Sequence, residues 1–270
     1  MSKYSVLMSV YFKETKENLD ISLRSILEQT YLPSEIIIMK DGPIPTDVEL
    51  LLEKYVADHN IIKIIDLKEN VGLGRALNIG LTYCSYDLVG RMDSDDIAFP
   101  NRFEQQVEFM DKNLDVSVLG ALAIEFNKIP GDLNRHRKLP MDYNEVLNFA
   151  KFRNPLNHPT VIFRKAAVIK VGSYLDMPLF EDYYLWIRLL NEKFKIVNLN
   201  IPLLHFRIGN DMVGRRHGVD YMKKEIAFLR ASKSHGFITP VQYMISIAMK
   251  APFRIIPKTL LEFIYKAFLR

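Results

Sequence analysis

The chain has 270 residues, enough for one large domain or two small ones. Its 49% hydrophobic and 25% charged residues mark a folded protein rather than a disordered one. A formal net charge of +4 is too mild to indicate a nucleic-acid partner, and a single cysteine, Cys84, excludes an internal disulfide or a cysteine-built zinc cage.

Residues 4–10 (YSVLMSV) form an apolar run that predicts a strand, and Leu19, Leu23, Ile26 and Leu27 then recur at helical spacing. This apolar start follows Lys3, but Lys13 and Glu14 interrupt it and no small-residue cleavage site follows, so no signal peptide is expected. Residues 35–39 (EIIIM) predict a second strand, and Val48, Leu51, Leu52, Tyr55 and Val56 a second helix. Residues 61–67 (IIKIIDL) predict a third strand, Leu73, Leu77, Leu81 and Cys84 a third helix, and residues 87–92 (DLVGRM) a fourth strand. Such alternation predicts an α/β fold with a parallel sheet covered on both faces. Beyond Pro100, Phe103, Val107 and Met110 suggest a helix, and Val116–Phe126 is an apolar run. Residues 127–144 are polar and basic with Pro130, Gly131 and Pro140, which predicts a loop. Residues 158–163 predict a short strand, Glu181–Lys193 a helix, 195–206 one or two strands, and the chain from about Tyr221 is helical.

Ligands of parallel sheets bind outside the carboxyl ends of the strands. Four segments fall there in turn: Tyr11, Lys13 and Glu14; Lys40-Asp-Gly-Pro43; Asn70-Val-Gly-Leu-Gly-Arg75; and Asp93-Ser-Asp-Asp96. Like charges as close as Asp93, Asp95 and Asp96 repel, and a divalent cation relieves that repulsion. Mg²⁺ is commonly held by one or two carboxylates plus substrate phosphates, so Asp93 and Asp95 suggest a metal–diphosphate site with Asp96 behind them. In isolation Asp95 or Asp96 would more often cap the helix that begins near Pro100, but the shared edge of the four segments favours the metal site. Gly72 and Gly74 stand where backbone approaches a phosphate at a helix N-terminus, with Arg75 in reach, although a simple tight turn has the same composition. Asp41 could close its own turn or accept from a base N–H on which Tyr11 stacks. The third glycine of a dinucleotide fingerprint is missing, because Leu77 occupies it.

Together these segments resemble the family 2 glycosyltransferases of the GT-A fold. The likeness runs from Ser9-Val-Tyr-Phe-Lys-Glu14 through Gln29-Thr-Tyr-Leu-Pro33, Lys40-Asp-Gly42, Asn70–Gly80 and Arg91-Met-Asp-Ser-Asp-Asp96 to Asn154-Pro-Leu-Asn-His-Pro159 and Phe180-Glu-Asp182. Within that family it looks most like bacterial enzymes of capsule, exopolysaccharide and O-antigen assembly, of the amylovoran type. The resemblance implies inverting transfer of a hexose or N-acetylhexosamine from a UDP-sugar to an oligosaccharide or lipid-linked acceptor. It implies Tyr11, Glu14 and Asp41 beside the uridine, Arg75 near the diphosphate, Asp93 at the ribose or metal, and Asp95 on Mn²⁺ or Mg²⁺. It also implies Asp182 as catalytic base, with Glu181 as the alternative, and His158 at the acceptor. Two departures stand out: Phe12 replaces an asparagine common in relatives, and Lys40 the first of two aspartates. The late histidine of relatives, two residues after an arginine, is Gly209 here, with His205 before Arg207 instead.

Transfer needs a proton acceptor and stabilised charge on the departing UDP. Asp182 opens an apolar-periodic segment and could also be a helix-start acid. Rival readings are a sugar-1-phosphate nucleotidyltransferase, whose glycine-rich first loop is absent, and a catalytically dead glycan- or nucleotide-binding scaffold. Residues 1–100 are expected to form the donor half, 101–215 the acceptor half and 216–270 a basic helical extension. Pro240–Arg270 carries Lys250, Arg254, Lys258, Lys266 and Arg270 against Glu262 alone, with Pro252 and Pro257 expected to break it into short pieces. Such a segment either lies on an anionic inner membrane or caps the domain. No uncharged run reaches the roughly 18 residues of a membrane span, so a cytoplasmic location is expected, possible at the membrane face.

Overall fold

The computed structural model describes residues 1–133, 135–208 and 217–255. Its first part alternates as the periodicity predicts. Strands β1 (Tyr4–Val10), β2 (Glu35–Asp41), β3 (Ile62–Leu67) and β4 (Leu88–Asp93) are joined by helices α1 (Lys16–Leu27), α2 (Thr46–Asp58) and α3 (Leu73–Tyr83). The four strands are parallel in the order β3-β2-β1-β4. Consecutive residues on a strand face opposite sides. Leu7, Ile37 and Met39 therefore join one core with α3, while Val6, Met8, Ile36 and Ile38 join the other with α1 and α2.

The sheet continues through both expected halves. A two-residue strand β5 (Ile97–Ala98) and helix α4 (Arg102–Lys112) lead to β6 (Val116–Phe126), β7 (Arg135–His136) and helix α5 (Tyr143–Phe149). Then come β8 (Ile162–Arg164), helices α6 (Lys165–Lys170) and α7 (Glu181–Asn191), and β9 (Lys195–Arg207). Among the described residues this makes one mixed sheet, ordered β3-β2-β1-β4-β8-β6-β9-β5 with β7 beside β6. The largest pairing in this half is β6 with β9, parallel over Val116–Phe126 and broken by bulges near Leu122. Segment 195–206 is thus one bulged strand, and the apolar run 116–126 is its partner.

Two short helices, α5 and α6, escape the periodicity, because each has too few turns to repeat a pattern. Residues 158–160 form a 3₁₀ turn with Pro159 at its start, so the strand expected from 158 begins only at Ile162.

Helices α8 (Val219–Ser234) and α9 (Pro240–Ile255) form the C-terminal extension. Pro252 does not break α9. The last turn is held from outside: Arg254 Nε pairs with Glu225 Oε2 at 2.9 Å and Lys250 with Glu225 Oε1 at 3.5 Å, both from buried Glu225 of α8. Pro257, Lys258, Glu262, Lys266 and Arg270 lie outside the described residues. No described helix is long and apolar enough to cross a membrane.

Candidate active site

The carboxyl ends of β1, β2 and β4 and the start of α3 open onto one cleft of about 610 Å³. Its lining includes Tyr11, Glu14, Asp41, Asp93, Asp95 and Glu181. The end of β9 closes one side with Phe206 and Arg207, and Tyr221 of α8 reaches the rim.

Asp93, Asp95 and Asp96 each offer a carboxylate oxygen, all within 4.8 Å of one another. Asp96 caps no helix. Its Oδ1 accepts from the Arg207 backbone N–H at 2.8 Å, and its buried Oδ2 has no partner among the described residues. The N-cap of α4 is Asn101, which makes no side-chain cap bond. Burial and then the charge of Asp93 push the Asp96 carboxyl well above its ordinary range. The Asp95 carboxyl is pushed up to about 7 by burial, then by Asp93 and Glu14. Three crowded acids with a buried, unpartnered oxygen match the hard oxygen-donor set of Mg²⁺ or Mn²⁺.

Glu14 is buried and accepts from Ser94 Oγ and from the Thr15 N–H, so it is tied to the same cluster. Burial, the largest influence, raises its pKa. Tyr11 lines the cleft with its ring edge-on to exposed Phe12 at 5.4 Å. Asp41 neither closes its own turn nor faces the cleft alone. Its Oδ1 accepts from the Val71 N–H at 2.7 Å, and Oδ2 from the Gly72 N–H at 3.1 Å and Asn70 Nδ2 at 3.0 Å. It therefore fixes the loop that leads into α3. Asp41→Ala removes all three bonds and leaves two backbone donors to find water, so we expect a clear fall in Tm and weaker UDP binding by calorimetry. A Tm equal to wild type would show that the loop holds without Asp41.

Gly72 sits at φ +85° as N-cap of α3, and no side chain caps the helix, so its start opens toward the cleft. Gly74 has a different purpose. A Cβ there would lie 3.1 Å from Glu181 Cβ, so its absence lets α7 approach α3. Arg75 is the one proposed donor residue that the structure turns elsewhere. It is exposed, pairs with Asp176 at 2.8 Å on the surface, and does not line the cleft. Among the described residues two basic side chains, Lys13 and Arg207, line the cleft, and Arg207 Nε donates to the Asp95 carbonyl at 2.9 Å.

At the N-terminus of α7, Glu181 lines the cleft and its carboxyl is pushed up to about 7 by burial, then by Asp182. Asp182 is not among the residues lining this cleft and accepts from Asn154 Nδ2 at 2.7 Å. Its pKa is raised, chiefly by burial. His158 packs behind both: its Nε2 meets Tyr174 Oη at 2.8 Å and its ring meets Trp186 edge-on. Burial drives its pKa well below the usual value, so it is neutral and does not line the cleft. His205 stacks on Phe99 with centroids 4.4 Å apart and is not in the acidic group. Gly209 lies outside the described residues.

Sequence reasoning gave Arg91, Ser94 and Arg207 no part in the site. Arg91 had a signal: it precedes Asp93 by two on a strand, so both face the same side. Arg207 had only the resemblance to relatives with an arginine before a late histidine; no local pattern marks it, because β9 reaches the cluster through pairing distant in sequence.

A four-stranded parallel half ending in clustered acids and a nucleotide-sized cleft defines a GT-A glycosyltransferase. The TarS protein of S. aureus in complex with UDP has the same fold, with a TM-score of 0.66 over 98% of this chain and 72% of that one at 16% identity. The chain belongs to glycosyl transferase family 2, whose sequence pattern matches residues 5–174. It is 38% identical to the amylovoran biosynthesis glycosyltransferase AmsE of Erwinia amylovora, over 97% of this chain and 98% of that protein. It is 37% identical, over 99% and 97%, to an Escherichia coli UDP-Gal:alpha-D-GlcNAc-diphosphoundecaprenol beta-1,3-galactosyltransferase. Family membership sets aside the nucleotidyltransferase alternative.

Proposed function

We propose that this chain transfers a hexose or N-acetylhexosamine, with inversion, from a UDP-sugar to a lipid-linked or oligosaccharide acceptor in bacterial surface polysaccharide synthesis. The observation that carries this reading is the cleft itself, which gathers Tyr11, Glu14, Asp41 and the acidic cluster at the strand ends. The Escherichia coli relative supports both the donor class and the lipid diphosphate acceptor, and TarS has also been captured with UDP-GlcNAc.

Tyr11, Glu14 and Asp41 border the uridine. The open N-terminus of α3 and Arg207 face the diphosphate, in the place first expected of Arg75. Asp93 and Asp95 would hold Mn²⁺ or Mg²⁺, which when bound supplies Lewis-acid stabilisation of the leaving diphosphate. Asp182 takes the proton of the attacking hydroxyl, held in orientation by Asn154. Glu181, at the cleft wall, meets the donor sugar. His158 acts from behind, through Tyr174. The enzyme works on the cytoplasmic side, with residues 1–100 binding donor and 101–215 binding acceptor.

The extension brings the active site to the membrane. Its inner face packs on α8, while Val241, Met244, Ile245 and Met249 form an exposed apolar face of α9. That face bears no charged side chain, and Lys223, Arg230 and Lys233 are exposed on α8.

One experiment tests the whole reading. UDP-Gal, UDP-Glc and UDP-GlcNAc are each supplied with Mn²⁺ to the enzyme and anionic vesicles carrying a polyprenyl-diphosphate GlcNAc. We expect one donor to give a β-linked disaccharide by NMR. An α-linked product would refute inversion, and no transfer or donor hydrolysis would favour the inactive scaffold. Vesicle flotation that is unchanged by Met244→Glu with Met249→Glu would remove the membrane contact.

A further inference from the structure

Arg91 has no assigned task, yet it is buried directly against Asp93 of the acidic cluster. Its side chain is 2% exposed. It shares a face of β4 with Asp93, and its Nη1 contacts Asp93 Oδ1. Its buried Nε meets no hydrogen-bond acceptor among the described residues. A guanidinium taken wholly out of water is costly unless charge offsets the loss. That charge comes from both sides of the cleft: Asp93 and Asp96 on one, Glu181 and Asp182 on the other. Tyr174 and neutral His158 complete its surroundings. Among the described residues, Asp93 is its one ion-pair partner within 4.0 Å.

We propose that Arg91 is a positioning residue: a built-in cation that holds Asp93 in the metal-free enzyme and yields it when metal and nucleotide arrive together. The proposal rests on the reading of Asp93 and Asp95 as metal ligands. A metal ion at those ligands competes with the guanidinium for one carboxylate and is repelled by it at close range. The acidic cluster alone then binds the ion weakly. The diphosphate adds the negative charge that tips the balance, so the ion enters as a nucleotide complex. Idle carboxylates are kept in place meanwhile, without a bound metal to organise them.

The test is Mn²⁺ binding by calorimetry, with and without UDP, on wild type, Arg91→Met, Arg91→Gln and Arg91→Lys. Circular dichroism checks folding. Without UDP, the Met and Gln variants are expected to bind Mn²⁺ at least about tenfold more tightly than wild type, since a close positive charge has gone. The Lys variant keeps the charge and is expected within about threefold of wild type. A purely structural role predicts the opposite sign, because a loosened Asp93 binds metal less well. Neutral, folded variants that bind Mn²⁺ no more tightly than wild type overturn the proposal. If Arg91→Met does not fold, Arg91→Gln decides. Wild type supplies an independent check: Mn²⁺ affinity equal with and without UDP also overturns the proposal. Absence of Mn²⁺ binding in wild type and both neutral variants, even with UDP, overturns the metal-ligand reading and the competition together.

Discussion

Asp182→Asn is expected to lower kcat by about 10²- to 10⁴-fold, the usual range for loss of a general base, while Mn²⁺-dependent UDP binding stays as in wild type. Asparagine keeps the shape of the side chain but cannot take a proton. Asn154, 2.7 Å away, orients the carboxylate as the third group of a catalytic set orients its base. Burial raises the pKa of Asp182, which makes its ionised form a stronger base than a surface aspartate. The base works deprotonated, so kcat should rise with pH through a limb that lies above the ordinary aspartate value of 3.8. Glu181→Gln separates the two neighbours. Glu181 faces the donor cleft with its carboxyl near 7, so at neutral pH it exists in both forms and can donate to or accept from a sugar hydroxyl. Its loss should raise the donor KM more than it lowers kcat. Wild-type kcat in Asp182→Asn, with collapse in Glu181→Gln, would move the base to Glu181.

Asp95→Ala should abolish measurable Mn²⁺-dependent UDP binding, and transfer with it. The same change should stabilise the protein when no metal is present. The Asp95 carboxyl is held near 7 by burial and by its acidic neighbours, against an ordinary 3.8. The stability linked to this group is fully present below about 3.8 and is lost as pH rises through about 7. In metal-free samples Asp95→Ala should therefore have a higher Tm than wild type at pH 8 and no advantage near pH 3.5. Mn²⁺ with UDP should raise the Tm of wild type alone. Unchanged UDP binding in Asp95→Ala would remove Asp95 from the metal site.

Much of this was legible from the sequence because parallel βα units announce themselves. Long apolar runs fixed β1 to β4, their ends fell on one edge, and the acids were there. The second half was less legible. Helices α5 and α6 are too short to show a period, and β8 is three residues long. The pairing of β9 with β5, which brings Arg207 to Asp95 and Asp96, spans about a hundred residues and leaves no local trace. The surroundings of Arg75 were also not legible. It lies in the first turn of α3 as expected, but that turn presents it to Asp176 at the surface. Pro252 misled because a helix-breaking residue was judged without Glu225, whose two ion pairs hold the turn around it.

The missing side chain at position 74 also bears on re-engineering. A methyl added there would sit 3.1 Å from Glu181 Cβ, so Glu181 would have to give by a few tenths of an ångström to admit it. Such a shift would move the Glu181 side chain at the cleft wall. Efforts to change which sugar is carried should therefore vary the walls around Phe12, Leu179 and Phe206, and leave that hinge of contact untouched.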